Sequence, residues 1–585
     1  MKSCRRMDVV VMRAGASLCG LIAGTATAQP TPYCVAGGNW YAGNVMDVLD
    51  MPGSATDPNG SLTYEWGTIT ESNLVVLPTP CHNFATPPIQ CYDEINDTIH
   101  DPVALGQWVD SHPGRFWIIA NEPNIGQPGG DGLTPEQYAR MFHQFYTLVH
   151  PRDSSAKFVI AALAGGAAQA VFDWYDQALA AYQNLFGSPM PIDIWNEHPY
   201  TTPGRLNPDR VINEDIIPFR NYVDTVSGGI YAARPLWLTE FGVATWSVPL
   251  DIKYVNEFMQ QICPRLEALT AVERVFWFYG PWAGGWDMRI ASVSLVGPDN
   301  QPTLIGQTYS YLANHWPNPI PPPAPSQQPF PPPPLRVASD FSASAAPWEV
   351  LSGGWVLDDG GYRQNWLYEF CGTSAFLPYD YRDVRVEFDL KINASTNNDP
   401  LNWGGVTLRG GWIWDEQDFW HTMTYLVFLR KNGELGLYTV EDGTVRTIPN
   451  AVADTSVYHR IVVTLMGSHL EVDLDGTRVI EWDDVHTRRS TGLVYLRCCK
   501  SDSTFDNVVV TELRPCDFDH DGDVDQSDFG HMQACLSGPG VAQTNPACAD
   551  ARLDSDTDVD WNDVGKFFRC RTAPGVPSDR SCLDP

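Results

Sequence analysis

The chain has 585 residues, a formal net charge of −33 and 43% hydrophobic residues. This length predicts several domains, and the hydrophobic content is sufficient for packed cores. The negative charge argues against a nucleic-acid partner, because phosphate binding needs a basic surface.

The first 28 residues have the pattern of a signal peptide. Positive residues precede a short apolar run over 14–23, and Ala26-Thr27-Ala28 is typical of a cleavage site. We therefore expect an exported protein, secreted or at the cell surface. No apolar run is long enough to span a bilayer, so no transmembrane segment is expected. Twelve of the 14 cysteines follow the expected cleavage site, which favours disulfides whose connectivity the sequence leaves open.

Residues 29–316 alternate between short apolar runs and helical patterns. The predicted strands are 74–78, 116–120, 158–162, 192–196, 236–239 and 275–279, and the predicted helices are 134–149, 167–185, 213–225 and 255–269. Alternation over this length predicts a parallel α/β fold of the (β/α)8 TIM barrel type. A doubly wound sheet is the alternative, although the region has no glycine-rich phosphate loop.

Two glutamates follow predicted strands directly. Glu122 lies in "FWIIANEPNIG" (116–126) and Glu240 in "PLWLTEFGV" (235–243). Carboxylates at the carboxyl ends of barrel strands meet at the active face, and a facing pair suits glycoside hydrolysis. Glu122 taken alone is equally consistent with the start of a solvated loop. Glu197 is a rival carboxylate, but strand alternation turns it away from its neighbour His198.

The segments "IIANEPN" and "LWLTEFG" resemble clan A glycoside hydrolases, the retaining (β/α)8-barrel enzymes. "PIDIWNEHPY" (191–200) and "SLVGPDNQPTLIGQTYSYL" (294–312) extend the resemblance over most of 116–312. The resemblance implies that Glu122 is the acid/base, Glu240 the nucleophile and Asn121 a ligand of the sugar 2-hydroxyl. It also implies that His198 and Tyr200 lie near the nucleophile and that catalysis needs no cofactor. Retention requires carboxyl groups about 5–5.5 Å apart.

Two tryptophans are candidates for stacking on sugar. Trp277 and Trp282 lie in "VFWFYGPW", where a tryptophan commonly floors the sugar site in this clan. The alternative for Trp277 is an ordinary core residue. The site as a whole predicts a retaining glycoside hydrolase that acts on a poly- or oligosaccharide. The competing hypothesis is a non-catalytic carbohydrate-binding or adhesion protein on a barrel scaffold.

A proline-rich segment, "WPNPIPPPAPSQQPFPPPPL" (316–335), separates this region from the next. It predicts a linker over 317–335, extended at about 3 Å per residue, with independent folding on either side. Residues 336–513 then show two-residue alternation with Asn-Gly and Asp-Gly turns, which predicts an all-β sandwich.

The sandwich segments "APWEVLSGGWVLDDGGYRQ" (346–364) and "FDNVVV" (505–510) resemble laminin-G-like or concanavalin-like jelly rolls attached to secreted carbohydrate enzymes. That resemblance implies a carbohydrate-binding module. Four tryptophans are candidates for its stacking platform: Trp403, Trp412, Trp414 and Trp420. The alternative is a spacer or a structural partner of the barrel.

The tail, residues 514–585, contains an acidic repeat. In "DFDHDGDVDQSD", oxygen ligands stand at loop positions 1, 3, 5, 9 and 12, with Gly522 at position 6 and the Asp523 carbonyl at position 7. This is the EF-hand loop pattern, which favours Ca²⁺. The ligands of this first loop are Asp517, Asp519, Asp521, Asp525 and Asp528, together with Asp523.

A second loop follows about 35 residues later. Its matching residues are Asp554, Asp556, Asp558, Asp560 and Asp563, at positions 3, 5, 7, 9 and 12. Arg552 falls at position 1, which predicts a weaker site unless Asp550 substitutes through a local insertion. The duplicated loop and helix resemble a small α-helical type I dockerin. That implies calcium-dependent folding and docking to a cohesin-like protein or cell-surface anchor, with cysteines 516, 535, 548 and 570 as a departure from the family.

Overall fold

The computed structural model describes residues 33–36, 63–64, 74–77, 90–93, 95–126, 130–202, 205–244, 250–278, 292–299, 301–315, 330–367, 371–412, 422–486, 488–554 and 556–583. The predicted signal peptide and residues 316–329 of the proline-rich segment lie outside these ranges, as do Trp282, Trp414 and Trp420. Within these ranges, none of the helices combines the length and apolarity needed to cross a membrane.

The first region contains short strands, most of them paired in parallel. Its strands are β1 Tyr33–Ala36, β2 Thr63–Tyr64, β3 Leu74–Leu77, β4 Tyr92–Asp93, β5 Thr98–Ile99, β6 Phe116–Ile119, β7 Lys157–Val159, β8 Trp195–Glu197, β9 Tyr200–Thr201, β10 Leu236–Val243 and β11 Arg274–Phe278. One sheet has the order β2-β1-β11-β10-β8 with β9 on β10, a second has the order β3-β6-β7, and β4 and β5 form a small antiparallel pair. Every residue of β10 is buried, as expected for a parallel strand covered on both faces.

Helices pack against these strands. They are α1 Pro102–Ser111, α2 Pro135–Val149, α3 Gln169–Phe186, α4 Pro208–Arg210, a π-helix Val211–Ile216, α5 Ile217–Gly229, α6 Ile252–Ala268 and α7 Leu304–His315. Helix α2 begins at a capping box in which Thr134 and Gln137 satisfy each other's backbone groups. The predicted strands and helices of this region are therefore confirmed as elements, with shifts of a few residues at their ends.

The predicted closed (β/α)8 TIM barrel is wrong. The described parallel strands form two separate open sheets, and the ladder of neither sheet returns to its first strand. A single isolated bridge between Val159 and Ile194 lies between them. The physical reason is the shortness of the strands: apart from β10 they have two to five residues. Alternation of elements predicts parallel pairing, but it does not fix a continuous ring of ladders.

The second region is made of two antiparallel sheets that share a core. Its strands are β12 Arg336–Ser339, β13 Glu349–Ser352, β14 Trp355–Asp358, β15 Gly361–Gln364, β16 Cys371–Tyr381, β17 Asp383–Ser395, β18 Trp403–Gly410, β19 Tyr425–Arg430, β20 Leu435–Thr439, β21 Gly443–Ile448, β22 His459–Met466, β23 His469–Leu474, β24 Thr477–Asp483, β25 Gly492–Cys499 and β26 Ser501–Leu513. The first sheet has the order β14-β15-β26-β17-β22-β23-β24 with β12 on β26, and the second has the order β13-β16-β25-β18-β19-β20-β21. Val386 of the first sheet and Val406 of the second belong to one apolar cluster between them.

The tail folds around two helices, α8 Gln526–Cys535 and α9 Trp561–Cys570, with a 3₁₀ helix over Pro546–Ala551. Disulfides join Cys535 to Cys548 and Cys570 to Cys582, and a third joins Cys371 to Cys499 in the second region. The prediction of disulfides is therefore confirmed. In the tail the two bridges surround a small apolar core that includes Val524, Val559 and Phe567.

Candidate active site

Glu122 is held just beyond the end of β6 by an unusual backbone. Ala120 and Glu122 adopt left-handed φ values of 69° and 38°, which cost energy in residues other than glycine. The Asn121 N–H donates to Asp131 Oδ2 at 2.6 Å, and the Asp131 N–H donates to the Asn121 carbonyl at 3.0 Å. This clamp fixes the turn, so Glu122 leaves the strand in one defined direction.

Glu240 lies within the buried strand β10 and is 5% exposed. Tyr200 follows β8 along the chain, and its hydroxyl donates to Glu240 Oε2 at 2.6 Å. This short hydrogen bond to a carboxylate is of the stronger, charge-assisted kind. Strand β10 pairs with β8, which brings the two segments side by side. Glu240 is therefore fixed in a buried strand, almost inaccessible to solvent and hydrogen-bonded to a tyrosine hydroxyl.

His198 lies between the two glutamates. Its Nδ1 is 3.0 Å from Glu122 Oε1 and 3.5 Å from Glu240 Oε2. One carboxylate oxygen of each glutamate and one ring nitrogen of His198 all lie within 4.8 Å of one another. The three side chains also provide three possible ligand atoms for a metal ion. An imidazole hydrogen-bonded between two carboxylates accounts for the same arrangement without a metal.

The tautomer of His198 follows from its other partner. Thr239 N–H, which can only donate, points to Asn196 Oδ1 at 3.2 Å, so that amide oxygen is the acceptor. The Thr239 hydroxyl is 2.7 Å from the same oxygen and must donate its proton there. His198 Nε2 lies 3.1 Å from the Thr239 hydroxyl oxygen, which is left to accept. His198 therefore carries a proton on Nε2, and Nδ1 faces Glu122.

The pKa of His198 reflects opposing effects. Burial of the ring disfavours its charged form and lowers the pKa, but the charge of Glu240 and the hydrogen bond to Glu122 raise it more. The net pKa is raised above that of an ordinary histidine. The group therefore binds a proton readily on the Nδ1 that faces Glu122.

Of the other predicted site residues, one lies beside the glutamate pair, one lies in the core and one is outside the described residues. Asn121 adjoins Glu122 in the clamped turn, while Trp282 lies outside the described residues. The ring of Trp277 is fully buried, its Nε1 donates to the Val293 carbonyl at 3.0 Å, and it packs on Phe241. The structure therefore brings Glu122, Glu240, His198 and Tyr200 together and places Trp277 in the core.

Glu197, the rival carboxylate, points away from this cluster. It is 1% exposed, and within the described residues neither of its oxygens has a hydrogen-bond partner. Burial, and secondarily the charge of Asp215, raise its pKa well above that of an ordinary glutamate. It is not one of the three side chains whose ligand atoms lie together, which are Glu122, His198 and Glu240. Asn196 and Thr239, which orient His198, were missed from the sequence; their position inside the segments 191–200 and 235–243 is the signal that marks them.

The tail loops share one hydrogen-bond register. Asp528 accepts from the N–H groups of Phe518 and Asp525, and Asp563 accepts from the equivalent N–H groups of Leu553 and Asp560. This register puts Arg552 at position 1 of the second loop. The insertion that would bring in Asp550 is therefore not observed, and Asp550 instead lies 2.9 Å from His531 Nε2.

The first loop also has contacts that the second lacks. Asp517, at position 1, accepts from the N–H groups of Asp521 and Gly522 at 3.1 and 3.0 Å. Burial and the charge of Asp528 raise the pKa of Asp517 to about 7. The side chains of Asp517, Asp519 and Asp521 each offer an oxygen within 4.8 Å of the others. Carboxylates that are crowded together, one of them buried, repel one another. A hard cation bound among them relieves that repulsion.

A family model described as the glycosyl hydrolase catalytic core matches residues 63–309. This part of the chain is therefore a glycoside hydrolase catalytic domain, and the protein is an enzyme of that class. No curated protein matches the chain.

Several solved structures are similar to parts of the chain. A GH128 (subgroup II) endo-β-1,3-glucanase from Pseudomonas viridiflava is 18% identical, with 48% of this chain and 98% of that chain covered at a TM-score of 0.33. A GH128 (subgroup III) curdlan-specific exo-β-1,3-glucanase from Blastomyces gilchristii is 16% identical, with 48% and 97% covered at 0.32. The carbohydrate-binding module CBM66 from Bacillus subtilis is 16% identical, with 28% and 94% covered at 0.24. Likeness at this level supports no conclusion about substrate.

Proposed function

We propose that the enzyme is a retaining glycoside hydrolase that cleaves O-glycosidic bonds of a poly- or oligosaccharide by double displacement. Glu122 would be the acid/base and Glu240 the nucleophile. The observation that carries the proposal is the proximity of the two carboxylates, with one oxygen of each within 4.8 Å of the other. Retaining enzymes need a separation of about 5–5.5 Å between carboxyl groups, whereas inverting enzymes need about 6.5–9.5 Å to admit a water.

His198 supports an acid/base role for Glu122. With Nε2 protonated toward Thr239, the Nδ1 atom either donates to an ionised Glu122 or accepts from a protonated one. One proton shared by these two groups serves both half-reactions. Glu122 delivers its proton to the leaving oxygen in the first, and its carboxylate removes a proton from water in the second.

Tyr200 supports a nucleophilic role for Glu240. Its hydroxyl holds Oε2 at 2.6 Å, which stabilises the ionised form and leaves Oε1 for attack on the anomeric carbon. In the first step the bond from Glu240 to that carbon forms as the glycosidic bond breaks. In the second, water attacks the same carbon and Glu240 leaves as a carboxylate. Two inversions restore the original configuration.

Wild type and Glu240→Gln should be compared on a panel of glycans that includes β-1,3-glucan, the substrate class named for two of the similar structures. We expect hydrolysis by the wild type, with the first product in the starting anomeric configuration by NMR, and loss of hydrolysis in the variant. An inverted first product would contradict double displacement. Equal inactivity of both proteins, with binding retained, would favour the non-catalytic carbohydrate-binding or adhesion protein instead.

We also propose that the tail binds a structural cation. In the first loop the ligands of Ca²⁺ would be Asp517, Asp519, Asp521, Asp525 and Asp528, with the Asp523 carbonyl as a further donor. The close approach of oxygens from Asp517, Asp519 and Asp521 supports this assignment. The second loop fits less well, because a cationic Arg552 replaces the carboxylate at position 1. No catalytic step involves this ion. A tail melting transition that is unchanged by EDTA would contradict the proposal.

The tail and the N-terminus also predict location. Trp561 and Phe568 of α9 are 75% and 48% exposed, which supports a docking role toward a cohesin-like protein or cell-surface anchor. Export through the signal peptide would place the enzyme with its polysaccharide. Binding of the full chain to immobilised cohesins, with and without calcium, tests the docking role; no binding in either condition would contradict it.

A further inference from the structure

The second region packs against the catalytic domain at the start of α6. The N–H of Asp251 donates to the Leu351 carbonyl of β13 at 2.8 Å. Two residues further along the chain, Lys253 Nζ lies 3.0 Å from Glu349 Oε2 on the same strand. Asp251 is also the N-cap of α6, where its side chain accepts from the Lys253 N–H. Polar contacts from one strand therefore reach both the cap and the first turn of this helix.

Aromatic rings fill the space beneath these polar contacts. Tyr254 of α6 meets Trp412 edge to face, with ring centroids 5.5 Å apart. Phe330, at the end of the proline-rich segment, lies 5.1 Å from Trp412 on another side. Trp412 is 3% exposed and belongs to the same apolar cluster as the helices of the catalytic domain. This tryptophan, a candidate for sugar stacking, is therefore covered by protein.

The contact lies directly downstream of the proposed nucleophile. Strand β10 carries Glu240 and ends at Val243, and the chain enters α6 at Asp251 after the buried Leu250. Helix α6 also contacts the chain neighbour of Glu240 directly, because the rings of Phe241 in β10 and Phe258 in α6 have centroids 6.2 Å apart. The position of α6 therefore affects the strand that carries Glu240, and the second region contacts the start of this helix.

We propose that the second region is a fixed brace that positions α6, and through the contact of Phe258 with Phe241 the Glu240 side of the active site. Leu351, Glu349 and Trp412 are positioning residues that act through α6. The covered face of the seven-stranded sheet binds the protein's own catalytic domain. The sandwich consequently works as part of the catalytic unit instead of as a freely moving module.

The first test compares Trp412→Ala with Phe388→Ala in the full chain. Phe388 of β17 is buried in the sandwich's own core and packs on Phe505, so its truncation weakens the sandwich from the sheet that does not contain β13. In hydrogen exchange, we expect residues 250–256 to lose protection in Trp412→Ala and to keep it in Phe388→Ala. We also expect kcat to fall about tenfold in Trp412→Ala alone, well below the melting temperature, since small misplacements are costly.

The exchange measurement needs no substrate, so it remains decisive if the proposed reaction is wrong. Unchanged protection in Trp412→Ala, or equal loss in both variants, would overturn the brace. A charge-reversal pair provides a second test in case Trp412→Ala does not fold. Lys253→Glu should increase exchange at the start of α6, and the double variant Lys253→Glu/Glu349→Lys should restore protection. Failure of the double variant to restore it would also overturn the brace.

Discussion

The proposed active site and the first acidic loop of the tail both crowd carboxylates into a small volume, with different consequences. In the active site, His198 Nδ1 lies within 3.5 Å of both Glu122 and Glu240, and the Tyr200 hydroxyl donates to Glu240. In the first loop, the described hydrogen bonds to the side chains of Asp517 and Asp519 come from backbone N–H groups. An imidazole can carry a proton between two sites, whereas a backbone amide cannot.

The difference shows that the partners of a carboxylate decide its chemistry. A titratable base next to a glutamate permits proton transfer, because the proton has two comparable positions. Backbone donors leave several negative charges uncompensated, so the cluster is stabilised by a hard cation. Removal of a carboxylate or of one of its partners should therefore have different effects in the two clusters.

Removal of the acid should depend on the leaving group. In Glu122→Gln, hydrolysis of an unactivated glycan should fall by roughly 10²–10⁴-fold, whereas an aryl glycoside with an acidic phenol should lose much less, because its leaving oxygen needs no proton. Steady-state rates on both substrates measure this. Glu197→Gln is the matched control and should keep its activity, since Glu197 points away from the cluster. Equal losses on both substrates would contradict the acid role.

Removal of calcium should destabilise the tail through its first loop. At free Ca²⁺ about 100 times Kd, the ion should add roughly 2.7 kcal/mol to the free energy of unfolding of the tail. Calorimetry with and without EDTA measures this as a shift of the tail transition. Asp517→Ala should abolish the shift. Arg552→Asp should enlarge it, because it restores the carboxylate at position 1 of the second loop. A shift in Asp517→Ala equal to that of the wild type would contradict the assignment.

Loss of the phenol should weaken the nucleophile moderately. Tyr200→Phe removes one hydrogen bond to Glu240 Oε2 and keeps the ring, which packs on Phe278. We expect kcat/KM to fall about tenfold, in line with one hydrogen bond to a charged group. The acidic limb of the pH–rate profile should also move to higher pH, because Glu240 loses a donor that favours its ionised form. An unchanged limb would argue against this contact.

The smallest effect concerns His198 and stability. Its folded pKa is raised above 6.5, so its protonation stabilises the fold fully below that value and the contribution is lost as pH rises through the folded pKa. The stability deficit of His198→Gln relative to the wild type should therefore be larger at about pH 6 than at about pH 9. Chemical denaturation at the two pH values measures it. A deficit that is equal at both would mean that His198 stays neutral in the folded protein.

Local patterns in the sequence predicted much of the site. An apolar run that stops at a polar residue correctly placed Glu122 just beyond a strand, whereas Glu240, also expected after a strand end, lies inside β10, which continues to Val243. The roles assigned to both glutamates remain predictions. The register of both acidic loops was also readable, because the spacing of their ligands is fixed within twelve residues. The strand ladders were not readable in this way. The same strands that alternation predicted form two open sheets in place of one closed barrel.

The sequence by itself determined which segments form strands and helices and which residues fill the acidic loops, because those properties depend on neighbours along the chain. The tertiary structure decided which side chains meet. It placed Thr239 and Asn196 behind His198, buried Glu197 and covered Trp412 with Tyr254. These contacts join residues far apart in the chain, and packing selects them through shape and burial, which no local pattern records.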